Sequence, residues 1–470
     1  MEFTTIQLWA AFIAFLFFYA LLLKTKRELM IVLYVIAISL GFFYLSNRWL
    51  MLLLPATAIV SWMLTGWMSN VEGAKRKCLL CFIVVLDLLP LLFFKYSYTF
   101  SELLNQMFAA NFSLSSIAMP IGISFYTFQA ISYSVDVYRR DFCLKVNFLE
   151  YLFYLSFFPL LLAGPITRAA TFFPQIRRER VISERLLYLG LWLFMLGIIK
   201  KAVVADYIAQ YNDWIFSMPD AYSGFECLMG LLGFSMQIYL DFSGYSDISI
   251  GIAAMLGIRL RENFAFPYRS RNLTEFWHRW HISLSTWFRD YLYIPLGGNR
   301  HGIFRTCCNL FVTMMAAGIW HGSTLMFLFW GALHGIGLAI HKIFQPFLRD
   351  IRDNWLTISV SRFITLSFIL LSWGFFRSPD LNTAKLLLSS IFTRMDLSYA
   401  VPFFAARTTW CLLLAGSILS LFIGERLYRH VEAKFIYWPW LMKLVAFLLV
   451  VQMVIELHIS DIQPFLYFRF

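Results

Sequence analysis

The sequence predicts an all-α polytopic membrane protein, on the basis of its composition and of the length and pattern of its apolar runs. Of its 470 residues, 60% are hydrophobic and only 14% are charged. The apolar residues form long continuous runs that do not alternate with polar ones, which excludes an outer-membrane β-barrel. Only helices and closed barrels satisfy their backbone hydrogen bonds in lipid, so each run is predicted to be a helix.

Runs long enough to cross a bilayer, which takes about 20 residues, occur along the whole chain. They lie near residues 7–23, 29–47, 49–68, 79–98, 119–137, 148–165, 186–204, 224–241, 244–260, 308–328, 329–346, 358–376, 405–425 and 440–458. Some of them are expected to be re-entrant or interfacial. The sequence therefore predicts roughly 10–13 tilted spanning helices.

The positive charge of the chain is attributed to membrane contacts. The formal net charge is +12, and such an excess is typical of cytoplasmic loops that face anionic membrane lipids. No basic run is interleaved with aromatic residues on a soluble segment, so nucleic acid is not an expected partner. The first run, Leu8–Leu23, is followed by Lys24, Lys26 and Arg27, which predicts a membrane helix with its N-terminus outside, not a cleavable signal. The basic 426–434 loop would be cytoplasmic, so the C-terminus would also lie outside.

Two blocks rich in histidine and arginine stand between the apolar runs. Trp277–Arg300 reads WHRWHISLSTWFRDYLYIPLGGNR, and Gly318–Gly322 reads GIWHG. Ionisable side chains are costly at membrane depth unless they face a cavity or a partner, so the blocks are a candidate functional site. The longer polar stretches, Thr167–Arg185 and Leu260–Arg300, are predicted to form short amphipathic or re-entrant helices that line a cytoplasmic-side cavity.

His321 is the strongest candidate for proton transfer. Ala317, Gly318 and Gly322 lie around it, and such small residues let other helices and a substrate approach closely. An imidazole in that position can take a proton from a hydroxyl group and return it near neutral pH. The alternative is a structural histidine that is hydrogen-bonded inside a helix bundle.

The other histidines are weighed in the same way. His278 and His281 are three residues apart and would share a helix face, which raises the question of a metal. The HxxH pattern lacks the glutamate of HExxH and no Cys, Asp or Glu set lies at ligand spacing, so no metal is expected. One of the pair is predicted to face a substrate, and His281 is favoured. His334 and His341 lie on another apolar helix and are expected to be structural.

Two further polar runs are open to more than one interpretation. Arg289 and the Pro295–Arg300 turn could cradle an anionic ligand, although a plain turn would have the same sequence. The run Gln237–Asp247 places two acids and several hydroxyl groups where two apolar segments meet. It is expected to form interhelical hydrogen bonds and ion pairs to the arginines.

The histidine blocks together resemble a known family. Trp277–Arg300, followed by Trp320–Gly322, is similar to the membrane-bound O-acyltransferase family, and within it to the membrane subunits of bacterial alginate and peptidoglycan O-acetyltransferases. Phe158–Arg168, Tyr239–Asp247 and the tail Pro464–Phe470 add to this resemblance.

The resemblance implies a ring of tilted helices around a thin central region, where funnels from both faces meet near His321. Residues 1–118 would form N-terminal transmembrane helices, 119–346 the core with its central tunnel, and 347–470 C-terminal transmembrane helices with an aromatic tail. The implied protein lies in the bacterial inner membrane and moves an acetyl group from cytoplasmic acetyl-CoA, its donor substrate, to an extracytoplasmic polysaccharide of the alginate, cellulose or peptidoglycan type. No bound cofactor is expected. A periplasmic esterase-like acetyltransferase is the expected partner.

The resemblance also implies roles for single residues. His321 matches the catalytic histidine of the family, and His281 matches a second position that is usually Asn or His. His321 would act as a general base on the acceptor hydroxyl, and His281 or a nearby Asn, Ser or Tyr would donate to the developing oxyanion. Arg279, Arg289 and Arg300 would hold the CoA phosphates at a basic cytoplasmic mouth.

Three other functions stay open on the sequence. An exporter of an acylated lipid or glycan could use Asp241 and Asp247 as a proton relay, although the chain lacks the internal repeat of many transporters. A non-catalytic scaffold for a periplasmic enzyme is the second. D-alanyl transfer is the third, since D-alanyl transfer proteins share the HIS-LS-x-W-x-RDY core. They lack PLGGNR, which favours acetyl transfer for this chain.

The C-terminal tail suggests a covalent step. Pro464–Phe470 holds four aromatic residues that are expected to leave water, because burial of an aromatic side chain is worth roughly 1.5–3 kcal/mol. Its one side-chain hydroxyl belongs to Tyr467, which is predicted to take the acetyl group with help from His321 and to pass it to the partner. The alternative is an aromatic anchor at the membrane interface.

Overall fold

The computed structural model describes residues 6–108, 119–161, 164–178, 182–349 and 352–457, and within these ranges it contains helices and no strand. Helices α1 to α11 are Ile6–Lys24, Glu28–Asn47, Leu53–Ser69, Gly73–Phe108, Ile123–Arg139, Phe148–Ser156, Phe158–Leu161, Ala169–Ile176, Glu184–Ile198, Asp206–Ser217 and Gly224–Met255. Helices α12 to α21 are Leu273–Arg279, Ile282–Phe288, Gly302–His321, Leu325–Arg349, Trp355–Arg377, Leu381–Thr393, Ala400–Ala406, Thr408–Ser420, Glu425–Tyr437 and Trp440–Glu456. Short 3₁₀ helices cover Arg48–Leu52, Pro219–Ala221, Pro267–Arg269 and Leu397–Tyr399, and π-helices cover Ile199–Ala205 and Arg289–Tyr293.

The all-α polytopic prediction is confirmed, but the structure has fewer spans than the sequence indicated. Among the described residues, six helical segments are long and apolar enough to cross a membrane, or up to eight if each of two sharply bent helix pairs is one span. Fusion of neighbouring runs is one reason. The runs 29–47 and 49–68 lie in one helical segment, Glu28–Ser69, and the runs 224–241 and 244–260 share α11.

The contacts divide the chain into two compact units. The N-terminal unit consists of Thr5–Leu191 with Ser249–Arg261, and the C-terminal unit consists of Trp192–Ile248 and the chain from Glu262 onward. In the N-terminal unit, α5 is the central helix, since every residue from Ile123 to Ser134 is buried. A helix that is buried all round needs its polar side chains paired inside the protein.

Glycines bring two helices of the C-terminal unit together around His321. A Cβ atom on Gly331 of α15 would lie 2.6 Å from the carbonyl oxygen of Met314 on α14, and one on Gly318 would overlap the backbone of Phe327. Because glycine has no Cβ, the two backbones can pack in direct contact. The close helix approach that was predicted at Gly318 is therefore confirmed, and it fixes the end of α14 that carries His321.

Candidate active site

A cavity of about 670 Å³ lies in the C-terminal unit, between the polar block and the helix pair α14–α15. As predicted for Leu260–Arg300, short helices form much of its wall, namely α12, α13 and the π-helix that follows. Its lining residues are Thr274, Trp277, His278, Ile282, Leu284, Ser285, Thr286, Phe288, Arg289, Tyr293, Ile294, Asn299, Leu310, Thr313, Met314, Ala317, His321, Leu338, Lys342 and Gln345. The lining is apolar on most of its surface and carries a few convergent polar groups, which is typical of a ligand site.

His321 lines this cavity from the C-terminal end of α14. Its side chain is 5% exposed and lies among aromatic rings, with centroid distances of 4.9 Å to Trp320, 5.1 Å to Trp330 and 5.3 Å to Phe376. Exposed residues such as Arg289 line the same cavity. The cavity therefore leads from the surface of the unit to a buried imidazole.

His281 lies in the turn between α12 and α13, where its backbone adopts a left-handed conformation with φ 44° and ψ 55°. A non-glycine residue seldom adopts this region without support from its surroundings. The side chain is 1% exposed, and its Nδ1 lies 3.3 Å from Oδ1 of Asn263. The ring packs at right angles to Phe242, with centroids 4.5 Å apart. His281 is thus buried beside Asn263 and is not among the residues that line the cavity.

His278, the other member of the pair, lines the cavity. It lies on α12 and is exposed. The chain bends after Arg279, since Trp280 has an extended backbone and α12 ends there. The two histidines consequently lie on different helical segments and do not share the helix face that their spacing suggested.

The three predicted donor-binding arginines are in different environments. Arg289 lines the cavity and forms an ion pair with Asp290, with Nε and Oδ1 2.8 Å apart. Arg279 lies outside the lining and pairs with Glu275 at 2.9 Å. Arg300 is exposed and is also outside the lining. Of the three, the structure therefore brings only Arg289 to the cavity.

Sequence reasoning missed two residues near this site. Lys342 on α15 lines the cavity, and its Nζ donates to Oε1 of Gln345 at 2.8 Å. The position of this lysine, one residue after His341 on an otherwise apolar run, was a usable signal. Asn263 was overlooked because it lies 18 residues before His281 and carries no charge.

The other histidines of the apolar helices, His334 and His341, form hydrogen bonds with protein side chains. Nδ1 of His334 accepts from Nε1 of Trp277 at 3.3 Å, and its Nε2 lies 3.1 Å from Oγ of Ser372. Nδ1 of His341 lies 2.9 Å from Oγ1 of Thr274. Hydrogen bonds of this kind are what the structural interpretation of these residues requires.

The acids of the Gln237–Asp247 run form the expected ion pairs, and the partners that the structure shows are lysines. Oδ2 of Asp247 lies 2.6 Å from Nζ of Lys200, and Asp241 forms a buried ion pair with Lys201. Both lysines lie in the π-helix that directly follows α9. Charged side chains of opposite sign can be buried in this way because each neutralises the other.

Two remaining predictions concern a metal and the tail. Within the ranges that the structure describes, no group of three or more His, Cys, Asp or Glu residues could hold a metal ion. Tyr467 lies outside the described residues, so its predicted role stays a prediction.

A multi-pass helical protein in which a cavity leads to a buried imidazole has the features of an integral-membrane enzyme. The model of the membrane-bound O-acyltransferase family matches residues 39–377, which include α12 to α15 and the whole cavity lining. The chain belongs to this family. It is an O-acyltransferase, which sets aside the exporter and the scaffold.

Named relatives carry two transfer activities. The chain is 34% identical over 92% of its length to "Probable alginate O-acetylase AlgI" of Pseudomonas putida, covering 97% of that protein. It is 32% identical over 81% of its length to the peptidoglycan O-acetyltransferase of Helicobacter pylori, covering 77% of that protein. It is also 28% identical over 67% of its length to the teichoic acid D-alanyltransferase of Bacillus subtilis, covering 81% of that protein.

Proposed function

We propose that this protein transfers an acetyl group from acetyl-CoA to a hydroxyl group and thereby serves the O-acetylation of an extracytoplasmic polysaccharide. The observation that carries the proposal is the cavity that leads from exposed residues to the buried His321. The names of the relatives from Pseudomonas putida and Helicobacter pylori, an alginate and a peptidoglycan acetylating protein, support a polysaccharide as the final acceptor.

His321 would act as the general base. Its imidazole takes the proton of the acceptor hydroxyl while the hydroxyl oxygen attacks the thioester carbonyl. The carbon–sulfur bond then breaks, the new ester leaves with the acetyl group, and the thiolate of CoA receives the proton as the free thiol. Positioning of the hydroxyl against the thioester would supply much of the rate.

The donor would enter from the exposed end of the cavity. Arg289 and Lys342 both line it, and cations there suit the CoA phosphates. The thioester would then reach the apolar end beside His321. Arg279 and Arg300 remain candidates for donor binding at the surface around this entrance.

The central test replaces His321 in the purified full-length protein. His321→Ala should reduce transfer from acetyl-CoA by about 10²–10⁴-fold, the usual contribution of general-base catalysis, with little change in thermal stability. His430→Ala is the matched control, because His430 is exposed on α20. Retention of more than roughly a tenth of the wild-type rate would contradict the general-base role.

D-alanyl transfer is the second candidate, favoured by the relative from Bacillus subtilis. The discriminating measurement offers the purified protein two donors, acetyl-CoA and a D-alanyl thioester on a carrier protein. Turnover of acetyl-CoA alone supports the acetyl assignment. Turnover of the D-alanyl thioester alone would replace it.

The location and partner follow from the proposed acceptor. A polysaccharide outside the cytoplasm and a donor inside it require an enzyme of the inner membrane, with the acceptor side facing the periplasm. A periplasmic esterase-like acetyltransferase would complete delivery to the polymer, and both termini of the chain would face that side.

Tyr467 would connect the two sides through a covalent relay. Its phenol oxygen attacks the thioester carbonyl, its proton passes through His321 to the departing thiol, and the resulting tyrosyl ester delivers the acetyl group to the partner. Tyr467→Phe keeps the ring and removes the oxygen, so it should abolish polysaccharide acetylation. The wild-type C-terminal peptide should carry an adduct of roughly 42 dalton during turnover. Wild-type acetylation by Tyr467→Phe would leave the tail as a membrane anchor.

A further inference from the structure

Asn263 holds the turn that carries His281. Its carbonyl oxygen accepts from the backbone N–H of Ile282 at 2.9 Å, and its Oδ1 accepts from the backbone N–H of Ser283 at 3.1 Å. Its Nδ2 donates to Oγ of Ser246 on α11 at 3.2 Å. These three contacts surround the left-handed residue His281 and tie its backbone to a buried helix.

The same contacts determine where the imidazole proton lies. A backbone N–H can only donate, so the amide atom that faces Ser283 must be the oxygen of Asn263. That oxygen can only accept, and it lies 3.3 Å from Nδ1 of His281. Nδ1 therefore carries the proton, and the lone pair of the neutral ring lies on Nε2.

Nε2 of His281 is buried and has no hydrogen-bond partner among the residues that the structure describes. A buried acceptor without a partner costs free energy, because it has lost its contact with water. A neutral ring with a free lone pair is suited to receive a hydrogen bond from a ligand. The acceptor hydroxyl has a single proton, which His321 takes in the proposed reaction, so the donor to Nε2 is another O–H or N–H group of a bound substrate.

We propose that Asn263 is a positioning residue that holds His281 as the Nδ1-protonated tautomer, so that Nε2 accepts a hydrogen bond from a second donor group of a bound substrate. The proton of the acceptor hydroxyl itself goes to His321. The substrate part of this inference rests on the proposed function. Burial lowers the pKa of the His281 imidazole to about 3, so the ring is neutral near neutral pH. An imidazole held in this tautomer has no proton on Nε2, so the oxyanion needs a different donor.

The tautomer can be tested without any substrate. In the full-length protein labelled with ¹⁵N-histidine, the His281 signals, assigned by their loss in His281→Ala, should show a protonated Nδ1 and an unprotonated Nε2. Asn263→Ala should shift the ring toward a mixture of tautomers. A protonated Nε2 in the wild type, or identical populations in Asn263→Ala, would overturn the inference.

A second test uses a replacement that keeps the shape of the side chain. In Asn263→Asp, a carboxylate faces Nδ1–H and stabilises the imidazolium, so the pKa of His281, followed through its ¹⁵N signals, should rise by about one unit or more. Asn263→Ala should lower kcat about 10²-fold at nearly constant KM, because a small misplacement of a reacting group has that effect. An unmoved His281 pKa in a folded Asn263→Asp protein would overturn the positioning role.

Asn212→Asp is the matched control, because Asn212 is a buried asparagine whose Nδ2 donates to Gln237 at 2.9 Å. It should lower stability and leave the pKa of His281 in place. The two readouts also separate the proposals. Failure of the wild type to use acetyl-CoA would contradict the proposed function, whereas the tautomer measurement would still decide whether Asn263 positions His281.

Discussion

The surroundings of His281 and His334 differ although both rings are buried in the same unit. Both nitrogens of His334 have protein partners, Trp277 on one side and Ser372 on the other. The hydroxyl of Ser372 donates to the carbonyl oxygen of Ile369, so its oxygen accepts from Nε2. His281 has one protein partner, Asn263, for its Nδ1. A buried histidine is therefore recognised as a candidate for substrate contact by an incomplete set of hydrogen bonds, and burial alone does not identify it.

The largest expected difference between the two rings is in the rate. His281→Ala should lower transfer by about 10²-fold or more, because loss of the proposed substrate contact would misplace the reacting groups. His334→Ala should keep most of the transfer rate of each folded molecule. Both variants would be assayed as purified protein, with the rate normalised to the folded fraction. Equal losses of rate in the two variants would contradict a functional difference between His281 and His334.

The second expected difference is in stability, where His334→Ala should be more affected than His281→Ala. His334→Ala leaves the groups of Trp277 and Ser372 without their ring partners, and each unsatisfied buried polar group costs about 1–3 kcal/mol. We therefore expect the larger loss of unfolding free energy in His334→Ala. Unfolding in detergent, followed by the near-UV signal, measures both. A larger loss in His281→Ala would indicate that His281 is a structural residue.

A smaller effect concerns the pH dependence of stability. The folded pKa of His281, about 3, lies below the ordinary histidine value of 6.5, so the unfolded state binds more protons below pH 6.5. The contribution of the His281 imidazole to the free energy of unfolding is present above pH 6.5 and is lost as the pH falls toward 3. Relative to His281→Asn, the wild type should lose about 2 kcal/mol between pH 7.5 and pH 5. If the unfolding free energies of the wild type and His281→Asn changed with pH in parallel, the pKa of His281 in the folded protein would not be lowered.

The smallest expected effect concerns the charges at the cavity. Arg289→Gln should raise KM for acetyl-CoA several-fold, by about 1 kcal/mol of binding, and the effect should shrink at high salt. Arg279→Gln and Arg300→Gln should have smaller effects, since neither lines the cavity. Lys385→Gln is the control, because Lys385 is exposed on α17. An unchanged KM in all three arginine variants would assign these residues to structural ion pairs.

The sequence determined the fold class, the family and the position of His321, because each depends on local information. Apolar runs report burial in lipid, and the GIWHG motif places a titratable ring inside such a run. The number of spans could not be read in this way. Hydropathy does not report where helices break or fuse, as between α18 and α19, which bend by 102° at Arg407.

The contacts of the site were decided by tertiary structure. The break after Arg279 separates His278 from His281, and it turns one toward the cavity and the other toward Asn263. Asn263 and Ser246 lie 18 and 35 residues before His281 along the chain, and no sequence period connects them. Chain reversals bring these groups together, and a hydrogen bond depends on atoms within about 3 Å. Residue identity alone therefore could not show which nitrogen of His281 carries its proton.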